Sequence, residues 1–149
     1  MHKLVLAAVF ASFIAGPAWA VECTPITKKQ VEGLFDRWNA SLATLDPQKV
    51  VENYAPDAVL LPTLSNKPRV TQAERMAYFK EFLKKKPQGK IDSRTIRIGC
   101  NKVTDTGLYT FTMADGTKVP ARYTFTYEVE HGKWLIASHH SSAMPEYKN

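Results

Sequence analysis

The chain has 149 residues, 20 Lys+Arg against 14 Asp+Glu, a formal net charge of +6 and 44% hydrophobic residues. That supports one core of ordinary size and leaves no length for a second such domain. The basic residues are scattered, which argues against a nucleic-acid partner, and the one dense run, Lys84-Lys85-Lys86, reads as a helix C-terminus favoured by the helix dipole.

The first residues read as an address. Met1-His2-Lys3 is a short positive region, Leu4 to Ile14 is almost wholly apolar, and Gly16-Pro17 breaks the run before the small-x-small step Ala18-Trp19-Ala20. The apolar run is too short to span a bilayer. The expectation is a secretory signal over residues 1–20, cleaved after Ala20, and a single periplasmic or secreted domain over residues 21–149 with no membrane partner. Cleavage removes Lys3 and no acid, so the charge falls from +6 to +5. An oxidising compartment allows Cys23 and Cys100 to form one disulfide, tying the N-terminal arm to a strand; two unrelated thiols remain the alternative.

Thr27-Lys28-Lys29-Gln30 is a capping box before Val31, Leu34, Phe35, Trp38, Leu42 and Leu45, whose spacing predicts one long amphipathic helix. Asp46-Pro47 opens a short second helix through Val50, Val51 and Tyr54, which Pro56 stops. Ala58 to Leu61 reads as a brief buried strand and residues 63–69 as a loop. A second capping box, Thr71-Gln72-Ala73-Glu74, starts a third helix with Met76, Phe79, Phe82 and Leu83 on one face. Strand and turn follow. Lys90 to Val103 alternates, Thr104 to Gly107 turns, Leu108 to Met113 returns, Ala114-Asp115-Gly116 is a hairpin, and Val119 to Glu130 is a long strand. His131-Gly132 turns into a closing strand from Lys133. The order predicts an α+β fold, a curved antiparallel sheet wrapped as a cone over three helices, with a pocket at its open end.

The closing strand begins apolar, at Trp134 to Ala137, and ends polar, at Ser138-His139-His140-Ser141-Ser142. Strict alternation puts Ile136, Ser138, His140 and Ser142 on one face and His139 and Ser141 on the other, so at most one histidine faces a pocket. An imidazole there suits acid–base work or hydrogen bonding to a ligand, and His140 and His139 are the catalytic candidates; a structural histidine at a subunit interface is the alternative. Arg122 is either a pocket cation for a carboxylate or a surface arginine. Arg97 lies opposite Ile96 and Ile98 and is either solvated or pocket-lining. Trp38, Tyr54, Tyr78 and Tyr109 would line the cone, Tyr54 and Tyr109 as hydroxyls that need a partner when buried, and Ser142 and Ser141 offer further hydroxyls. No metal-ligand spacing, Gly-x-Ser-x-Gly elbow or dinucleotide motif is present, so neither metal nor cofactor is expected.

The tail Gly132-Lys133-Trp134-Leu135-Ile136-Ala137-Ser138-His139-His140-Ser141-Ser142-Ala143-Met144-Pro145 resembles the SgcJ/EcaC-type group of the nuclear transport factor 2-like (cystatin-like) superfamily. It is also similar to the association domain of calcium/calmodulin-dependent protein kinase II. Leu45-Asp46-Pro47, Tyr54-Ala55-Pro56-Asp57-Ala58 and Ala121-Arg122-Tyr123-Thr124-Phe125 extend the resemblance over Ile26–Glu146. It implies the cone fold, a pocket, and Glu52 and Asp57 as possible partners of the histidine. It does not imply a reaction, since such folds serve isomerases, dehydratases, binding modules and oligomerisation hubs, and the oxidoreductase label of the SgcJ/EcaC type carries no chemistry. Ser141 stands where the kinase domain has an arginine, which removes the ground for carrying over that domain's ligand or ring assembly. The expected function is an exported homo-oligomer, most simply a dimer, binding a small organic anion. The alternatives are an isomerase- or dehydratase-type enzyme using a pocket histidine, and a purely structural assembly module.

Overall fold

The computed structural model describes residues 22–63 and 65–145; the expected signal segment lies outside them, as does Glu146 at the end of the resemblance. Helix α1 (Lys28–Ala43) and helix α2 (Pro47–Val51) lead into strand β1 (Tyr54–Leu61). Helix α3 (Gln72–Phe82) and one 3-10 turn (Leu83–Lys85) precede strands β2 (Gln88–Ile98), β3 (Lys102–Thr112), β4 (Lys118–Glu130) and β5 (Lys133–Ala143). No described helix is long and apolar enough to cross a membrane.

Local chemistry starts each helix where the sequence predicts. The Thr27 hydroxyl accepts from Gln30 N and the Gln30 side chain accepts from Thr27 N. Thr71 and Glu74 repeat the exchange at α3, and Asp46 caps α2 with Pro47 behind it. The buried stripe of α1 is Val31, Leu34, Phe35, Trp38 and Leu42. It packs against inward residues of the sheet, among them Phe111, Tyr123, Phe125 and Tyr127, all buried. Trp38 meets Phe125 edge-on at 5.4 Å between ring centroids, a favoured aromatic geometry.

The five strands form one sheet in the order β1-β5-β4-β3-β2. Strands β2 to β5 are an antiparallel meander, as expected, while β1 joins the edge of β5 in parallel. The parallel pairing follows from connectivity: α3 carries the chain from the end of β1 back across the sheet. Between Tyr54 and Val59 the register of β1 shifts, which leaves carbonyls without ladder partners. Arg75 of α3, 1% exposed, donates to the carbonyl oxygens of Ala55 at 3.0 Å, Pro56 at 2.8 Å and, closer still, Ala58. A buried arginine thus completes the backbone pairing of a strand, which sequence polarity alone places in solvent.

Two boundaries differ from expectation. Helix α2 ends at Val51 and β1 already runs from Tyr54 through Pro56, where a helix through Tyr54 and a strand from Ala58 were expected. The β2–β3 turn falls at residues 99–101 rather than 104–107, with Asn101 at φ 53°. Cys100 sits in that turn, not on a strand, and is joined to Cys23 by a disulfide. Asn101 holds the same arm by accepting from Thr24 N at 2.6 Å and donating to the Glu22 carbonyl at 2.9 Å. Gly107 lies inside β3 because the backbone of β2 bulges over it; a Cβ there would come 2.0 Å from the Ser93 carbonyl oxygen. At His131-Gly132, both φ values are positive (49° and 75°), the primed-turn geometry that the twist of a tight hairpin requires.

Candidate functional site

Strand β5 does not alternate strictly. A bulge between the pairs Thr126↔Ser138 and Tyr127↔Ile136 inserts Ala137 as an extra residue. Ile136 therefore shares the inner face with His139 and Ser141, all buried, while His140 is exposed on the outer face. The parity expected from the sequence held only on either side of Ala137.

His139 is the centre of the inner polar cluster. Its ring stacks on Phe125 at 4.0 Å between centroids and meets Trp38 edge-on at 5.3 Å. The Trp38 indole N–H donates to Tyr54 Oη at 3.1 Å, and Tyr54 Oη lies 2.9 Å from His139 Nδ1. On the far side Tyr109 Oη lies 3.4 Å from His139 Nε2 and donates to Ser141 Oγ at 2.5 Å. Ser141 Oγ is hydrogen-bonded in turn to Thr63 Oγ1. Burial drives the His139 pKa down to about 3, with the neighbouring His140 adding to the shift, so the imidazole is neutral at physiological pH. The same burial raises the Tyr54 and Tyr109 hydroxyls above their ordinary range, so they stay protonated.

Thr63 marks a boundary. Inside it is a recess of about 10 Å³ against His139, Ser141, Tyr78 and Phe82, with room for at most one water. Outside it is a cavity of about 950 Å³ between Thr63, Ser65, Lys67 and Arg69, α3 and the β3–β4 hairpin. Its walls are Tyr78, Phe82, Phe111, Met113 and Val119, and its rim carries Lys67, Arg69, Lys84 and Lys85. Lys67 pairs with Glu74 at 2.9 Å and Lys84 with Glu81 at 2.6 Å. Arg69 and Lys85 have no carboxylate partner among the described residues, and the Arg69 guanidinium lies 5.8 Å from the Tyr78 ring centroid.

Of the residues named from the sequence, the structure brings Trp38, Tyr54, Tyr109 and His139 together. It sends Arg122, Ser142, His140 and Arg97 elsewhere. Arg122 is exposed on the outer face of β4, where its Nε donates to Ser142 Oγ at 3.2 Å. Both belong to the ladder pair Arg122↔Ser142, whose side chains point away from the helices. Arg97 is exposed. The inward arginine of β2 is Arg94, whose Nε lies 3.2 Å from Asp105 Oδ2, while Tyr123 Oη donates to Asp105 Oδ1 at 3.0 Å. Burial raises the Asp105 pKa. Glu52 and Asp57 are exposed and neither bonds His139. Thr63, which ends the cluster, carries no sequence signal because it sits in a loop without a motif; Ser141 reads from the sequence only as an available hydroxyl, since its inward facing depends on the bulge. Among the described residues no three His, Cys, Asp or Glu side chains form a set that could hold a metal ion.

A five-stranded curved sheet closed over helices, with a polar cluster at the inner end of a cavity, defines the cystatin-like, nuclear transport factor 2-like class. The profile of the calcium/calmodulin dependent protein kinase II association domain matches residues 27–145. The chain belongs to that family. A protein from Xanthomonas campestris assigned to the same association domain is 46% identical, with a TM-score of 0.77 over 87% of this chain and 100% of its own. Two more distant structures share the fold. A cyanobacterial iota-carbonic anhydrase, solved with bicarbonate, is 22% identical with a TM-score of 0.73 over 82% and 94% of the two chains. An NTF2-like family protein from Pseudomonas putida, of unknown function, is 16% identical with a TM-score of 0.71 over 81% and 89%. None of the curated proteins matches the chain.

Proposed function

We propose that the protein binds a small oxyanion of bicarbonate size at the Thr63 end of the inner cluster, and that its reaction is the interconversion of carbon dioxide and bicarbonate. The observation that carries this is the buried row Tyr109–Ser141–Thr63 beside a neutral His139, opening onto a cavity with a cationic rim. Hydroxyls fixed in a water-poor site stabilise charge that develops on oxygen without needing a cation in contact. The bicarbonate held by the cyanobacterial fold relative supports this ligand class. Arg69 and Lys85 attract the anion to the cavity, the task the sequence reading gave to Arg122.

In hydration, a water oxygen bonds to the carbon of CO₂ and one C=O bond becomes C–O⁻. That oxygen accepts from the Thr63–Ser141 end, and the water's proton leaves through the cavity to bulk buffer. His139 does not take this proton, because its pKa lies near 3 and both ring nitrogens face tyrosine hydroxyls. The histidine-base version of an isomerase or dehydratase is disfavoured on the same ground. Stopped-flow CO₂ hydration by the purified protein tests the reading: Ser141→Ala and Thr63→Val should lose most of the rate while keeping the fold. A wild-type rate no greater than buffer alone would sink it.

Export and self-association belong to the same proposal. The N-terminal segment and the Cys23–Cys100 pair support a periplasmic or secreted protein. The family's association-domain character supports a homo-oligomer, and the outer sheet face, with Leu61, Leu108, Arg122, His140 and Ser142, supplies a surface for a dimer. Light scattering with Arg122→Glu tests that assignment; an unchanged mass would remove the outer face from the interface.

A further inference from the structure

We infer that the chain of hydrogen bonds from Trp38 runs in one direction as far as Ser141 and leaves its surplus O–H on the Ser141–Thr63 pair, so that this end of the site favours acceptor ligands over donors, with Trp38 as the residue that sets the direction. The inference rests on the cluster being the binding site, as proposed above. It follows from a count of hydrogens. Trp38 N–H, Tyr54, neutral His139, Tyr109, Ser141 and Thr63 bring six hydrogens to five links. One hydrogen is left over, and where it emerges depends on the first link.

Indole has a donor and no acceptor. Trp38 is 1% exposed and Tyr54 Oη is its partner, so the first link can run only outward from Trp38. Tyr54 must then spend its own hydrogen on His139 Nδ1. Neutral imidazole carries its proton on the other nitrogen, so Nε2–H points at Tyr109 Oη, and Tyr109 donates onward to Ser141. The opposite tautomer would give Tyr54 two incoming hydrogens and leave its own without an acceptor in a buried site, the costly case for a polar group. At the last link Ser141 donates to Thr63 or Thr63 to Ser141. Either way the surplus hydrogen belongs to one of those two hydroxyls, both of which border the recess.

The arrangement therefore polarises a site that contains no charged side chain in contact with the ligand. Each link as far as Ser141 aims its positive end toward Thr63. An oxyanion such as bicarbonate or formate meets a donor there in need of an acceptor; an ammonium finds only hydroxyl lone pairs, against the dipole of the row. The other groups facing this row, Tyr78 from α3 and the exposed His140 on the opposite face, do not enter it, since neither bonds to any of its members.

The test has two arms on the full-length protein. In the first, the ring nitrogens of ¹⁵N-histidine-labelled protein are followed by long-range proton–nitrogen spectra from about pH 5.5 to about pH 8. The expected result is a His139 held throughout as the Nε2–H tautomer. Trp38→Phe should give a mixture of tautomers. Should that variant fail to fold, Tyr54→Phe tests the same link. An Nδ1–H or doubly protonated His139 in the wild type overturns the inference. In the second arm, formate and methylammonium are titrated separately. Formate should bind, Thr63→Val should weaken it about tenfold, and methylammonium should bind more weakly and without sensitivity to Thr63→Val. Equal binding of the two ions also overturns it. Correct tautomer and formate selectivity without CO₂ hydration would refute the proposed reaction and leave the direction of the row intact; hydration with the wrong tautomer would do the reverse.

Discussion

At His139, the folded chain holds neutral an imidazole that would be half-charged near pH 6.5 in the unfolded chain. The sign of the effect on stability follows. The folded pKa lies near 3 and the unfolded value near 6.5, so between them the unfolded chain binds the extra proton. Stability from this residue is complete above about pH 6.5 and is lost progressively as the pH drops toward 3. Urea unfolding at neutral and mildly acidic pH should show this loss, and His139→Gln should flatten it. A wild-type slope unchanged by that substitution would mean that other groups carry the acid sensitivity. Glu74 acts in the same sense at lower pH: hydrogen bonding by Lys67 and by the Val70 and Thr71 amides lowers it to about 2, so its support of the α3 cap weakens as pH falls below its ordinary 4.5.

Elements were legible where a local rule decides them. The two capping boxes, the α1 stripe as far as Leu42 and the His131-Gly132 turn each depend on residues a few positions apart, and each stands where the sequence puts it. Leu45, expected to end the stripe, lies beyond the helix and is exposed. What failed to show depends on partners distant in the chain. The bulge at Ala137 is a register event between β4 and β5, and it decides that His139 and Ser141, rather than His140 and Ser142, share the inner face with Ile136. Arg122 stands open between pocket and surface in the sequence, yet alternation from Tyr123 and Phe125 already turns it out. Arg75 was invisible because its partners are backbone carbonyls, which carry no sequence signature. That arginine carries a prediction of its own. Arg75→Met keeps the volume and removes the donors, stranding three carbonyls of β1 in a buried site. The expected loss is about 3 kcal/mol in urea unfolding, with hydrogen exchange speeding first along β1. A loss under about 0.5 kcal/mol would show that water can replace the guanidinium there.

For the whole molecule, the disulfide couples stability to compartment. Cys23 and Cys100 are 77 residues apart, so their bond closes a loop that takes in α1 to α3, β1 and β2. A loop of that length stabilises by about 4 kcal/mol in the chain-entropy description. A domain of this size typically holds about 5–15 kcal/mol in total, so the bond is a large share of it. The arm before α1 has few other ties: the Thr24 and Glu22 bonds to Asn101 are its main contacts, and they sit at the turn the disulfide pins. Reduction should therefore free the arm first and lower the whole unfolding curve without changing the core. Protein made in a reducing compartment should carry two free thiols and unfold at lower urea than oxidised protein, and Cys23→Ser should match the reduced form. Equal midpoints for oxidised and reduced protein would refute this, and would also withdraw the stability argument for an oxidising destination.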